Sequence, residues 1–167
     1  KNIFSRVKKD SLIIIESTLI PGTCDKICLP IIKKILSKRK MSLNNVFFGY
    51  SYERVTPGEN YLKSLMNTGR NYAGYNQAAC KKIEFFFKKF FQKRNVRNFK
   101  FEKLIECETA KIIENSYRSL NIAFIHEWME FSNSQKLNLN KILSSIRVRK
   151  THSNIMRPGL GVGGYCL

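Results

Sequence analysis

Two short, mainly apolar runs, Ser11–Ile15 and Val46–Tyr50, flank a stretch whose apolar residues recur with helical spacing. Each run is too short to be a stable helix. Neither alternates apolar with polar as a half-exposed strand would, so each reads as a strand buried on both faces. Between them Ile27, Ile31, Ile32, Ile35 and Leu36 make one stripe of a helix over 24–39, opened by the Pro21-Gly22 break and a Thr23 cap. Pro30 falls inside that stripe and is expected to bend or interrupt it. Strand, helix and strand with short connections form the crossover unit of a parallel sheet, so the fold class is α/β.

Beyond the second strand, Ser51–Glu59 with Pro57-Gly58 reads as a loop, and 59–69 as a loop with a helical turn. Asn71–Tyr75 reads as a short strand, Gln77–Lys93 as a basic, phenylalanine-rich helix, and 94–101 as a loop. Ile113, Tyr117, Leu120, Phe124, Trp128 and Phe131 then recur every three or four residues. They mark one face of a long helix over 104–132. A shorter helix covers Asn138–Ile146, and Thr151–Leu167 is a glycine-rich loop. There is no internal repeat. The expected organisation is the end of an α/β sheet domain over 1–100, a mainly helical central domain over 101–150, and the loop over 151–167.

Lysine and arginine number 30 against 12 aspartates and glutamates, a formal charge of +18. That balance raises nucleic acid as a partner. The lysines, however, are spread along the whole chain among Asn, Ile and Phe, which favours compositional drift. An anionic small molecule is a third use for the charge. Hydrophobic residues at 43% and charged residues at 25% argue against global disorder. The longest purely apolar run, Leu12–Ile15, cannot span a bilayer, and the first ten residues lack the features of a signal peptide. The chain starts at Lys1 without methionine and stops just after a glycine-rich turn, so it reads as an internal piece of something longer.

The five cysteines are Cys24, Cys28, Cys80, Cys107 and Cys166, with no C-x-x-C pair, and neither His126 nor His152 stands beside one. No metal site is read from this set. The plain reading is a cytoplasmic chain with reduced, buried thiols.

Three places could carry chemistry. Gly159, Gly161 and Gly164 satisfy G-x-G-x-x-G by spacing, but a prolyl turn precedes them where a dinucleotide fingerprint needs a strand. The loop can instead bring bare backbone to a ligand and present Cys166, either as a nucleophile or as a thiol buried in a turn. Lys111, Asn115 and Arg118 share one face of the long helix, which on an arbitrary helix is a solvated polar face. Ser17-Thr18 and Glu53-Arg54 follow the two strand ends, where open α/β sheets bind ligands.

Together these segments resemble one family. Glu16-Ser17-Thr18-Leu19-Ile20-Pro21-Gly22-Thr23 is similar to its E-S-T-x-x-P-G-T segment. Tyr50-Ser51-Tyr52-Glu53-Arg54-Val55-Thr56-Pro57-Gly58 is similar to Y-S-P-E-R-V-x-P-G. Glu108, Lys111, Glu114 and Asn115, with Asn121-Ile122-Ala123 and Glu127, resemble E-x-x-K-x-x-E-N…N-I-A…E, and Pro158–Leu167 resembles P-G-x-G-V-G-G-[HY]-C-[IL]. The family is that of the UDP-glucose/GDP-mannose dehydrogenases, nucleotide-sugar 6-dehydrogenases. The likeness is weakest over about 60–103.

The resemblance implies a Rossmann-like NAD-binding domain followed by a helical dimerisation domain. It also implies oxidation of a sugar C6 alcohol to a carboxylate in two NAD-dependent steps, for polysaccharide precursor synthesis. Cys166 aligns with the nucleophile that holds a thiohemiacetal and then a thioester. Lys111 and Asn115 align with the groups that stabilise the oxyanion, Glu53 with the base that activates water, and Thr18 with a residue bound to a catalytic water. Ser17, Thr18 and Cys166 fall on the nicotinamide side. Glu53, Arg54, Lys111, Asn115, Arg157, Gly159, Gly161 and Gly163 fall around a UDP-sugar. The implied partner is a second copy joined through the central helix, although the Ile113–Phe131 stripe suits core packing equally. No nucleic acid or membrane is expected. The rival readings are a basic nucleic-acid module and a non-catalytic relative.

The chain departs from the pattern at Tyr52, which stands in place of a proline, so the loop carrying Glu53 is expected to be less rigid. The family's dinucleotide fingerprint, the aspartate beyond the cysteine and the second nucleotide-binding domain fall outside this sequence.

Overall fold

The computed structural model describes residues 2–54, 61–90 and 98–163. The chain divides into two compact units, Lys1–Ile112 and Ile113–Leu167.

In the first unit a short helix α1 (Asn2–Arg6) leads to β1 (Leu12–Ile15), and β2 (Phe47–Tyr50) pairs with β1 in parallel. The register sets Leu12 against Phe47 and Ile15 against Tyr50. β3 (Asn71–Gly74) runs antiparallel to β2, and the short β4 (Phe99–Lys100) runs parallel to β3. The sheet order is β1-β2-β3-β4. The crossover is α2 (Leu29–Lys38), entered through a π-helical turn, Cys24–Cys28. That turn takes up the irregularity expected at Pro30. The proline itself falls in the first turn of α2, where its missing N–H costs nothing.

Alternation along the strands explains why both runs are apolar throughout. Ile13, Ile15, Phe48, Tyr50 and Ala73 join Ile32 and Leu36 of α2 on one face of the sheet. Leu12, Ile14 and Tyr72 join Ile83 and Phe87 of α4 (Gln77–Phe90) on the other. Gly49 lets α4 approach closely. A Cβ there would collide with Ile83 Cδ1 and lie 2.6 Å from the Ala73 carbonyl oxygen. Because α2 and α4 cover opposite faces, their exposed lysines (Lys33, Lys34 and Lys38; Lys81, Lys82, Lys88 and Lys89) lie on two sides rather than in one stripe.

The helical turn expected within 59–69 is a seven-residue helix, α3 (Tyr61–Asn67), and the expected loop over 94–101 ends in β4. The Pro57-Gly58 turn, residues 91–93 of the expected Gln77–Lys93 helix, and Cys166 lie outside the described residues.

The long helix, α5 (Leu104–Ser134), begins in the first unit, where Leu104 and Cys107 enter the core. In the second unit, Ile125 and Met129 of α5 pack on Leu139, Leu143 and Ile146 of α6 (Leu139–Arg147) and on Ile155 and Met156. The stripe foreseen as either core or interface is not that core: its six residues are 48–70% exposed. No helix among the described residues is long and apolar enough to cross a membrane.

Candidate active site

In the first unit the parallel pairing brings the carboxyl ends of β1 and β2 to one edge of the sheet. Pairing continues past Tyr50, since the Ser51 N–H donates to the Ile15 carbonyl at 2.9 Å. Ser17 and Thr18, just beyond β1, are exposed, as is Arg54 beyond β2; Glu53 is half-buried.

Lys111, on α5, reaches this edge. Its Nζ donates to the Glu53 carbonyl oxygen at 3.1 Å and lies 5.5 Å from the centroid of the Tyr52 ring. Tyr52 is 1% exposed, and its hydroxyl accepts from Asn71 Nδ2 at 2.5 Å. The looseness expected from the loss of proline is therefore not what the structure shows at residue 52: burial and a cross-strand bond hold it in place. β3 starts at the same edge, and Arg70 just before it is 3% exposed. Its Nη1 lies 3.6 Å from Glu16 Oε1, next to Ser17 and Thr18. Sequence reasoning missed Arg70, because a lone arginine in a loop carries no periodic or motif signal. It also gave Tyr52 only a negative role.

Glu108 is wholly buried one turn before Lys111. Its carboxylate accepts the Gly22 N–H at 2.6 Å and the Cys24 N–H at 2.8 Å, tying α5 to the connection between β1 and α2. Burial pushes the Cys24 thiol up, reinforced by its hydrogen bond to Glu108. Burial also raises Cys28, and takes Cys107 up to about 12. These thiols stay protonated near neutrality and are poor nucleophiles.

In the second unit Asn115 follows Lys111 by one turn of α5 and is half-buried. The glycine-rich loop is anchored at its start by Arg147, whose Nη2 donates to the carbonyls of Ile155 at 2.9 Å and Met156 at 3.2 Å. Arg157 beyond it is exposed. Gly161 has φ +86°, a conformation that favours glycine, and a Cβ there would lie 3.7 Å from the His126 ring. Added Cβ atoms at Gly159 and Gly163 would meet nothing within 4 Å.

The turn after β1 bears on which part of NAD could bind here. A diphosphate needs free backbone N–H groups at a helix start. Those of Gly22 and Cys24 are occupied by Glu108, and that of Lys26 by the Gly22 carbonyl. Those three N–H groups are therefore not open to a diphosphate, and the hydroxyls of Ser17 and Thr18 stand exposed just beyond the strand end. Among the described residues no group of three or more His, Cys, Asp or Glu could hold a metal ion.

Residues 1–92 match the NAD binding domain, and residues 106–167 the central domain, of the UDP-glucose/GDP-mannose dehydrogenase family. UDP-N-acetyl-D-mannosamine dehydrogenase of Methanococcus aeolicus is 32% identical over 99% of this chain and 35% of its own length. UDP-N-acetyl-D-glucosamine 6-dehydrogenase of Pseudomonas aeruginosa is 31% identical over 96% of this chain and 36% of its own. Among solved structures, the UDP-N-acetyl-mannosamine dehydrogenase Cap5O from Staphylococcus aureus superposes with a TM-score of 0.81 at 28% identity, covering 99% of this chain and 38% of that one. The chain thus spans about a third of the length of the relatives it matches.

Proposed function

Because the chain belongs to the UDP-glucose/GDP-mannose dehydrogenase family, we propose that it is part of a UDP-sugar 6-dehydrogenase. The reaction converts the sugar C6 alcohol to a carboxylate, for polysaccharide precursor synthesis in the cytoplasm. The observation that carries this reading is the bond from Lys111 Nζ to the Glu53 carbonyl. It joins two residues 58 positions apart at the sheet edge where Ser17 and Thr18 follow the end of β1.

NAD, when bound, would supply the hydride acceptor for the two oxidations at C6. The chain's own groups do the rest. Ser17 and Thr18 orient the nicotinamide end at the carboxyl edge of β1, and Thr18 holds a water. As the aldehyde forms, the alcohol proton passes to the water that Thr18 holds and on to solvent, and the Cys166 thiolate adds to that aldehyde. The oxygen of the resulting thiohemiacetal becomes anionic, and Lys111 and Asn115 supply its cation and donor. Loss of the second hydride leaves a thioester. Glu53 takes a proton from water, the hydroxide adds to the thioester carbonyl, and the C–S bond breaks to give the carboxylate and free the Cys166 thiolate. Arg54, Arg157 and the backbone at Gly159, Gly161 and Gly163 enclose the UDP-sugar. Burial favours the thiol form at Cys24, Cys28 and Cys107, which counts against these three as the nucleophile. The exposed stripe on α5 suits a homodimer.

The test is Cys166→Ser in the full-length protein, followed by rapid quench. The expected result is an aldehyde-level product with acid formation lost. Undiminished acid formation would refute the assignment.

A further inference from the structure

Tyr52 and Glu53 are neighbours at the end of β2, and both contact one ammonium. Lys111 Nζ takes the Glu53 carbonyl as acceptor at 3.1 Å and lies 5.5 Å from the Tyr52 ring centroid. A lysine side chain has four rotatable bonds, and one hydrogen bond to a carbonyl leaves most of that freedom in place. An aromatic face attracts the ammonium from a second direction, at a distance within the range of cation–π attraction. The ring cannot turn away, because it is 1% exposed and its hydroxyl accepts from Asn71, which is itself in the sheet on β3. A proline at residue 52, as in the family's segment, has no such face to offer.

We propose that Tyr52 is a positioning residue for Lys111, fixing the ammonium at the carboxyl edge of β2 through its ring face, with the Asn71 bond locking the ring. The proposal rests on the dehydrogenase reading for its catalytic consequence but not for the placement itself. Three roles divide among adjacent groups: the Glu53 carbonyl sets the reach of the lysine, the Tyr52 ring sets its direction, and Asn71 sets the ring. The structural alternative is that Tyr52 merely fills space beside Cys107 and Ser51. Tyr52→Phe keeps the volume and the face, whereas Tyr52→Leu keeps apolar packing without a face, so the two variants separate the readings.

Two readouts on the full-length protein decide it. The first is NMR of the Lys111 Cε–Hε group, which a ring face shifts upfield. The shift should persist but shrink in Tyr52→Phe, which keeps the ring face and loses the Asn71 bond, and vanish in Tyr52→Leu. The second is kinetics. Tyr52→Phe should stay within about 3-fold of wild type, and Tyr52→Leu should lose about 3- to 30-fold in kcat, with KM for the UDP-sugar within about 2-fold. In a Lys111→Met background, Tyr52→Leu should cost nothing further. An unchanged Lys111 resonance in Tyr52→Leu overturns the proposal, as does an equal loss with and without Lys111. A wild-type protein that shows the upfield shift yet oxidises no UDP-sugar overturns the dehydrogenase reading and the catalytic role of Tyr52, while upholding the placement.

Discussion

Glu108 Oε2 accepts the backbone N–H of Gly22 at 2.6 Å, across 86 positions of sequence. With Cys24 N–H on the other oxygen, one buried carboxylate satisfies two donors at the irregular entry to α2. This connection follows directly from Ser17 and Thr18, so the clamp also sets where those hydroxyls sit relative to Lys111, one turn further along α5.

Glu108→Gln should therefore destabilise the chain by about 1–3 kcal/mol in urea denaturation. The amide keeps one acceptor but sets an N–H against a backbone N–H. Glu108→Ala, which orphans both donors, should cost more. If both variants unfold at the wild-type midpoint, the clamp contributes nothing.

Stability should fall at alkaline pH. Cys107 ionises near 9.0 in an ordinary setting and at about 12 in the fold, chiefly because burial disfavours the thiolate. The unfolded chain thus releases its proton first. The sign follows: the contribution is whole below pH 9 and is lost as pH rises from about 9 toward 12. Each pH unit in that window favours unfolding by about 1.4 kcal/mol for one such thiol. Urea midpoints measured from pH 7 to 10.5 should fall, and Cys107→Ala should flatten the decline. Equal slopes for the two proteins would remove Cys107 as a cause.

The two-sided packing of β1 and β2, their parallel pairing and the course of α5 were legible because each rests on apolar spacing over several residues, although the four residues of β1 are only half-buried. α1 and β4 were not, and α3 only as a helical turn, being short and lacking an apolar period. The contacts of Tyr52 were illegible for a different reason. Local reasoning sees a missing proline and infers freedom, but Asn71 and Lys111, which hold that side chain and lie against it, come from β3 and α5. Arg70 is hidden in the same way: only the sheet brings it to Glu16. In α5 the spacing identified a stripe but could not assign it. The shift to Ile125 and Met129 as the face under α6 depends on how α6 returns, and it leaves Phe124, Trp128 and Phe131 exposed.

That exposed row predicts self-association. Trp128 and Phe131 stack edge to face at 5.6 Å between ring centroids, and Trp128 is 48% exposed. Aromatic residues clustered this way suit the centre of an interface. Trp128→Glu or Phe124→Glu should convert a dimer to a monomer in light scattering after size exclusion, with helical content unchanged. A monomeric wild type, or a dimer that survives both changes, would exclude α5 as the interface.

Two glycines of the terminal loop should respond oppositely to the same substitution. Gly161 sits at φ +86°, where an L side chain is strained, and a Cβ there would only touch the His126 ring at 3.7 Å, an ordinary contact. The penalty of Gly161→Ala is therefore backbone strain, about 1–2 kcal/mol. A Cβ at Gly159 would meet nothing within 4 Å, and its φ lies outside the strained region. Gly159→Ala should thus be neutral, or stabilise by about 0.4–1 kcal/mol through the reduced freedom of the unfolded chain. Hydrogen exchange at Ile155 and Met156, whose carbonyls Arg147 holds, reports the loop locally. Faster exchange is expected for Gly161→Ala and unchanged exchange for Gly159→Ala. The reverse order would mean that the loop adopts a different backbone course from the one described, with the left-handed residue elsewhere among its glycines.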